Sequence, residues 1–240
     1  MASVNTLPGM APTLAGKTAY VAICGLGMAA DLADGLEAAG ARVAIITDDT
    51  SCFASRSGVE AAFAAVAERV GPADLVVHAA ASRALCGAQK LTSFGEAGFR
   101  CADTALRATL YALQAAHGQM AGRGGAIVVL GPAMSLVGAS NLVPLVTATE
   151  GQRALVKSGA RQWGRCGITV NWLAAVSELF AAELAGMDPG GPELGEACAL
   201  GRRPQWAMDI APVLAFLGSD AGRSITGASI NMDGGEWMTP

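Results

Sequence analysis

Residues 126–171, AIVVLGPAMSLVGASNLVPLVTATEGQRALVKSGARQWGRCGITVN, decide how the rest of the chain is read. Ile127–Leu130 is a short, wholly apolar run of the kind shown by a strand buried on both faces. A loop follows it, then a long helical stretch over Thr147–Trp163, and Ile168–Asn171 forms a second strand.

The same alternation runs outward in both directions. Thr18–Ile23 (TAYVAI) is a buried strand after Gly16-Lys17. Cys24-Gly25-Leu26-Gly27-Met28-Ala29 turns into a helix through Ala39, Gly40-Ala41 closes it, and Arg42–Ile46 is the next strand, completing a βαβ unit. Parallel sheets hold ligands beyond the carboxyl ends of their strands, so Cys24–Ala29 is where a dinucleotide phosphate would sit. Further on, Val59–Val70 reads as a helix, and Asp74–His78 as a strand after the Gly71-Pro72 turn. Phe94–Met120 holds a long helix with Ala105, Leu106, Leu110, Leu113 and Ala116 at helical spacing, which leaves Arg107 and Tyr111 to the surface or an interface. Towards the end, Met208–Ala211 starts a helix with Asp209 in its first turn, where the helix dipole favours an acid. Leu217-Gly218-Ser219-Asp220 ends that helix, and Ser229–Met232 is a last strand closed by Asp233-Gly234-Gly235.

Composition bounds the function. Hydrophobic residues are 52% and charged residues 15% of the chain, so much of it must lie in core or interface, and 240 residues suit one domain. The net charge of −4 and the lack of a basic run argue against nucleic acid or an anionic membrane as partner. No apolar stretch reaches the ~18 residues of a membrane-spanning helix. Residues 1–15 lack the basic start and long apolar core of a signal peptide, so they are read as an arm before a single domain over 16–240, in a cytoplasmic protein. The six cysteines (24, 52, 86, 101, 166 and 198) never form CxxC, and His78 and His117 are far apart. No metal site is expected; buried, reduced thiols are.

Over about residues 16–240 these elements resemble the short-chain dehydrogenase/reductase family. The resemblance implies an α/β fold: a Rossmann-like doubly wound parallel sheet of six or seven strands in three layers, α/β/α. It also shows where the family's chemistry is missing. The family loop Thr-Gly-x-x-x-Gly-x-Gly falls on Ala22–Ala29: its middle glycine is Gly27, its first is Ile23 and its third is Ala29, with Gly25 between. The first glycine permits a tight turn and close backbone approach to a pyrophosphate; a β-branched side chain there disfavours both. Between Thr47 and Val59 there is no room for both the helix and the edge strand that family members carry. Asp48 or Asp49 falls near the family's ribose-binding acid, although a turn carboxylate is the plainer reading. The family's Asn-Asn-Ala-Gly is Val77-His78-Ala79-Ala80, with His78 at a strand end facing the cofactor cleft, and read as structural. Its helix asparagine, which supports a proton-relay water, is Ala105, and its serine is Pro132 or Ala133, with Ser135 close by. Its tyrosine is Val146, its lysine is Glu150, and its Pro-Gly is Ala175-Val176. Gly186–Ala199 lies where the family carries a substrate lid.

The family mechanism needs a phenol whose pKa is lowered by an ammonium one helical turn away, and a hydroxyl that polarises the carbonyl. The chain has only Tyr20 and Tyr111, and only Lys17, Lys90 and Lys157, and no tyrosine has a lysine four residues on. Glu150 in the lysine position would raise a neighbouring phenol's pKa and repel a phosphate. The expectation is therefore no catalytic residue at Ala105, Ala133, Val146 or Glu150. No cofactor is expected at Ile23, Gly25, Gly27 and Ala29, and no metal anywhere. As some family members pair a defective subunit with a working one, the resemblance implies a non-catalytic subunit beside an active paralogue in a heterodimer or heterotetramer. NAD(P) would sit in the active partner, acting on a hydroxyacyl-CoA type substrate. The helices Ala102–Met120 and Thr147–Trp163 would form the main interface, and the C-terminal strand a second one. Two alternatives stay open: an oxidoreductase with relocated residues (Ser135, Tyr111 or His78), and a homo-oligomeric protein that binds another small ligand in the emptied cleft.

Overall fold

The computed structural model describes residues 13–47, 50–181, 184 and 198–237. Six strands form one parallel sheet: β1 (Thr18–Cys24), β2 (Arg42–Thr47), β3 (Leu75–Ala80), β4 (Gly125–Pro132), β5 (Ile168–Ala175) and β6 (Ser229–Met232). Their order is β2-β1-β3-β4-β5-β6, and every neighbouring pair is parallel. The strand count falls within the expected six or seven. Among the described residues no strand lies outside β2, as the short stretch between Thr47 and Val59 implies.

Because side chains alternate along a strand, β1 sends Val21 and Ile23 into one core and Tyr20 and Ala22 into the other. The first core lies under α1 (Ala29–Ala38) and α6 (Ala211–Gly218), where Leu32, Leu36, Leu214 and Leu217 are buried. The second lies under α3 (Arg56–Val70), α4 (Glu96–Met120) and α5 (Val143–Trp163), where Phe63, Ala112 and Val156 are buried. A single turn, α2 (Thr50–Phe53), precedes α3. Gly131 on β4 makes room for the buried indole of Trp172 on β5: a Cβ there would lie 1.9 Å from the ring.

Several expectations are refined. The helix read as Val59–Val70 starts three residues earlier, because the Ser55 hydroxyl accepts from the Gly58 amide and caps it. On α4 the stripe facing the sheet is Ala102, Ala105, Ala108, Thr109, Ala112, Leu113 and Ala116. Leu106 and Leu110 are only half-buried, and Leu106 packs towards Gly151 of α5. Asp209 is a first-turn acid as expected; its carboxylate accepts from the Gln205 amide at 2.8 Å and takes both arms of Arg202 at 2.7 and 2.8 Å. The Arg202 guanidinium holds its carboxyl below the usual range. The thiols are less uniform than expected: Cys86 and Cys198 are buried, Cys24, Cys52 and Cys101 half-buried, and Cys166 exposed. Leu14, counted with the arm, is fully buried, and its amide donates to the Ala39 carbonyl at 3.0 Å. Asp48, Asp49 and residues 186–197 lie outside the described residues.

Candidate functional site: the crevice at the strand carboxyl ends

β1 runs one residue past its expected end, to Cys24, and Ile23 within it has no exposure and faces the α1/α6 core. The turn to α1 is made by Gly25 instead, at φ +76°. A Cβ on Gly25 would lie 2.1 Å from the Ala81 carbonyl oxygen, and the Ala81 amide donates to the Cys24 carbonyl at 3.1 Å. The turn therefore leans on the segment after β3. Ala29 opens α1 after the buried Leu26 and Met28, and the first turn carries Asp31. A carboxylate there offsets the helix dipole that would hold a phosphate.

The chemistry positions lie around this crevice. β4 ends on Pro132, and Ala133 is fully buried at the start of a helical turn, Ala133–Leu136. Ser135 sits in that turn, 3% exposed, with no hydrogen-bond partner for its hydroxyl. Val146 packs against the α1/α6 core, and Glu150 pairs with Arg153, whose Nε lies 2.9 Å from its Oε2. Sequence reasoning missed Gln152. Its buried side-chain amide donates to the Ala80 carbonyl at 2.8 Å and to the Ala105 carbonyl at 3.3 Å. The Thr109 hydroxyl lies 3.2 Å from the same Ala105 oxygen. Where the resemblance implies a relay water, the Gln152 amide takes the carbonyl and ties α4 and α5 to the end of β3. The only sequence signal was a glutamine on the face of α5 that otherwise carries Leu145, Ala148 and Val156.

His78 is not at a strand end. It lies within β3 with no exposure; its Nδ1–H donates to the Ala22 carbonyl at 2.7 Å, and its Nε2 lies 3.1 Å from the Thr109 hydroxyl. The Phe53 ring covers it at 5.7 Å. Burial pushes its pKa down to about 4, so it stays neutral near pH 7. Tyr20 is also out of reach: it donates to the Gly71 carbonyl at 2.7 Å near the amino ends of the strands, and burial pushes its pKa up to about 12. Tyr111 is half-buried on α4 beside the second core. Among the described residues no hydrogen bond joins Ser135, Tyr111 and His78, the three candidates for relocated chemistry.

Two recesses remain. One, of about 230 Å³, is walled chiefly by Leu26, Pro132, Leu145, Phe180 and Leu184. The other, of about 170 Å³, has Cys24, Phe53, Cys101 and Ala105 in its wall. Ala81 and Ser82 line both, and among the described residues neither wall holds a charged one. Pockets for ligands of drug size run to ~300–1,000 Å³. A dinucleotide brings two phosphates that would lose water with no cation to meet them. The residues present do not fit that group.

A family model described as enoyl-(acyl carrier protein) reductase matches residues 9–236. The 3-oxoacyl-[acyl-carrier-protein] reductase of Staphylococcus aureus is 34% identical over 137 residues, 57% of this chain and 55% of that protein, so the chain spans little over half of that relative. L-rhamnose 1-dehydrogenase (NAD(P)(+)) of Azotobacter vinelandii is 30% identical over 179 residues, 72% of this chain and 68% of that protein. Among solved structures, sorbitol-6-phosphate 2-dehydrogenase from Erwinia amylovora superposes with a TM-score of 0.74 at 23% identity, over 91% of this chain and 100% of that one. A dehydrogenase/reductase from Sinorhizobium meliloti does so with 0.74 at 26% identity, over 95% and 98%. A fold shared with these proteins and a match over nearly the whole length make this chain a member of the short-chain dehydrogenase/reductase family.

Proposed function

We propose that this chain is a non-catalytic subunit that supports an active short-chain dehydrogenase/reductase paralogue in a hetero-oligomer. The observation that carries the reading is the crevice whose described lining is uncharged, with Pro132 in the wall of one recess, Ala105 in that of the other, and Gln152 donating to the Ala105 carbonyl. No tyrosine has a lysine one helical turn on, and among the described lining residues a dinucleotide has no cation to meet. NAD(P) would sit in the active partner.

The face presented by α4 and α5 supports the assembly half of the reading. It carries half-buried Leu106, Leu110 and Tyr111 and an exposed Phe99, apolar surface of the kind that partner helices cover. The edge strand β6 offers the second contact. For substrate we propose a hydroxyacyl-CoA, because the matched family description and the Staphylococcus relative both name acyl-thioester chemistry. We propose the 2-(hydroxy-phenylmethyl)succinyl-CoA dehydrogenase of anaerobic toluene degradation as the parallel that the resemblance implies. A cytoplasmic place belongs to the same proposal; among the described residues no helix is long and apolar enough to cross a membrane.

The test is co-expression with an intact family member carrying Tyr-x-x-x-Lys from the same genome, followed by sizing and an NAD(P)-linked assay. The expected result is a mixed oligomer whose activity is lost when Tyr→Phe is made in the partner. Turnover by the isolated chain, or a homo-oligomer that ignores every such partner, would sink the reading.

A further inference from the structure

We propose that a basic ridge on α5, formed by Arg153, Lys157 and Arg161, chooses the partner subunit: it pairs with a row of carboxylates on the facing helix and repels a second copy of this chain. This deepens the preceding reading and rests on its placing of α4 and α5 at the subunit contact.

The three cations stand one helical turn apart, and Arg165 follows in the turn after the helix. Glu150 is the only carboxylate on α5, and Arg153 takes it. Among the described residues no carboxylate lies within ion-pair distance of Lys157, Arg161 or Arg165. On α4 the charges close on themselves: Glu96 pairs with Arg100, and Asp103 with Arg107. The chain carries a net charge of −4, so the surplus of cations on α5 is local. The helix dipole favours Arg161 in the last turn, but Lys157 lies between two like charges, which an isolated helix disfavours. Lys157 and Arg161 are exposed and stand outside the buried stripe of Leu145, Ala148, Gln152 and Val156. With Thr226 and Gly227 they line a depression of about 370 Å³. The ridge thus follows the flank of α5 nearer the edge strand β6, while Gly151 meets Leu106 of α4.

From Arg153 to Arg161 the ridge is about 12 Å long, a little over two turns of helix. That length suits carboxylates one turn apart on a facing helix. In a two-fold contact the same patch meets itself, so α5 packed on the α5 of a second copy sets ridge against ridge. Like charges brought together suppress that pairing, and opposite charges favour the mixed one, as charges flanking a helix seam do in coiled coils. The apolar residues of the face would serve either pairing; the charges separate the two.

The experiment uses the full chain and its Lys157→Glu/Arg161→Glu variant, which serves as an acidic partner of known sequence, with sedimentation of each alone and of the two mixed. At about 0.1 M salt the mixture is expected to associate at least about tenfold more tightly than either chain with itself. The difference should vanish at about 1 M salt, where the screening length falls from ~10 to ~3 Å. Lys157→Gln/Arg161→Gln should strengthen self-association, so the test stands even if the reversed variant fails to fold. Duplex DNA is the control for a polyanion site. Equal association of like and unlike pairs (none in either included), a preference that survives high salt, or DNA binding that the reversal abolishes would overturn this inference alone; the mixed oligomer with an intact family member would still form. Failure of every such member to join the chain would overturn the subunit reading and this one with it.

Discussion

The two ends of the sheet have been kept differently. At the amino ends of the strands a depression of about 660 Å³ retains its charges: Lys17 reaches Asp220 at 3.2 Å and the Gly218 carbonyl at 3.1 Å, and Arg123 reaches Asp74 at 2.8 Å. At the carboxyl ends, where α/β proteins hold ligands, the described residues of the recess walls carry no charge, and leucine, phenylalanine and proline are among them. Ion pairs close loops at one end; apolar side chains pack at the other. Leu145, Phe180 and Leu184 belong to the α1/α6 core and also line the larger recess, so the core reaches into the crevice and narrows it.

The sharpest way to break this contrast is Ile23→Gly, which restores the family's glycine. Were the crevice a dormant cofactor site, the variant would gain NADH binding. The expected outcome is no NADH binding and a loss of about 4 kcal/mol in urea denaturation, from a deleted core side chain and a freer unfolded chain. Next in size is a pH effect from His78. Its folded pKa of about 4 lies below the unfolded value near 6.5, so the unfolded chain takes up the proton first as pH falls. Stability is full above pH 6.5 and declines by about 3 kcal/mol between 6.5 and 4. His78→Gln should flatten that slope in melts over the same range.

A smaller effect tests the strap across the crevice. Gln152→Ala leaves the Ala80 carbonyl buried without its donor and should cost about 1–2 kcal/mol. Hydrogen exchange at the carboxyl end of β3 should then quicken more than at its amino end. Smallest is the amino-end pair: Asp220→Ala removes an exposed salt bridge and should change stability by less than about 1 kcal/mol, and less still at high salt. A large loss there with no loss at Gln152 would reverse the comparison.

Much of the fold was legible because apolar runs such as Ile127–Leu130 and TAYVAI signal strands buried on both faces, and because Ser229–Met232 is bounded by turn residues. Strand ends were less legible: β4 and β5 run on through Gly131-Pro132 and Trp172–Ala175, where a turn-former or a mixed composition interrupts the pattern although ladder pairing continues. At the site, the missing residues could be read directly, since Val146 and Glu150 cannot do a tyrosine's and a lysine's work at any geometry. The replacement could not. Nothing local marks Gln152 as the donor to two carbonyls 72 and 47 positions away, or His78 as enclosed by Ala22, Thr109 and Phe53.

The sequence by itself therefore determined the sheet, the helices and the absence of a tuned phenol, because those follow from periodicity and residue type. Only the tertiary structure decided what became of the space. Filling a crevice depends on side chains from five separate segments meeting, and on which backbone carbonyls they leave without water.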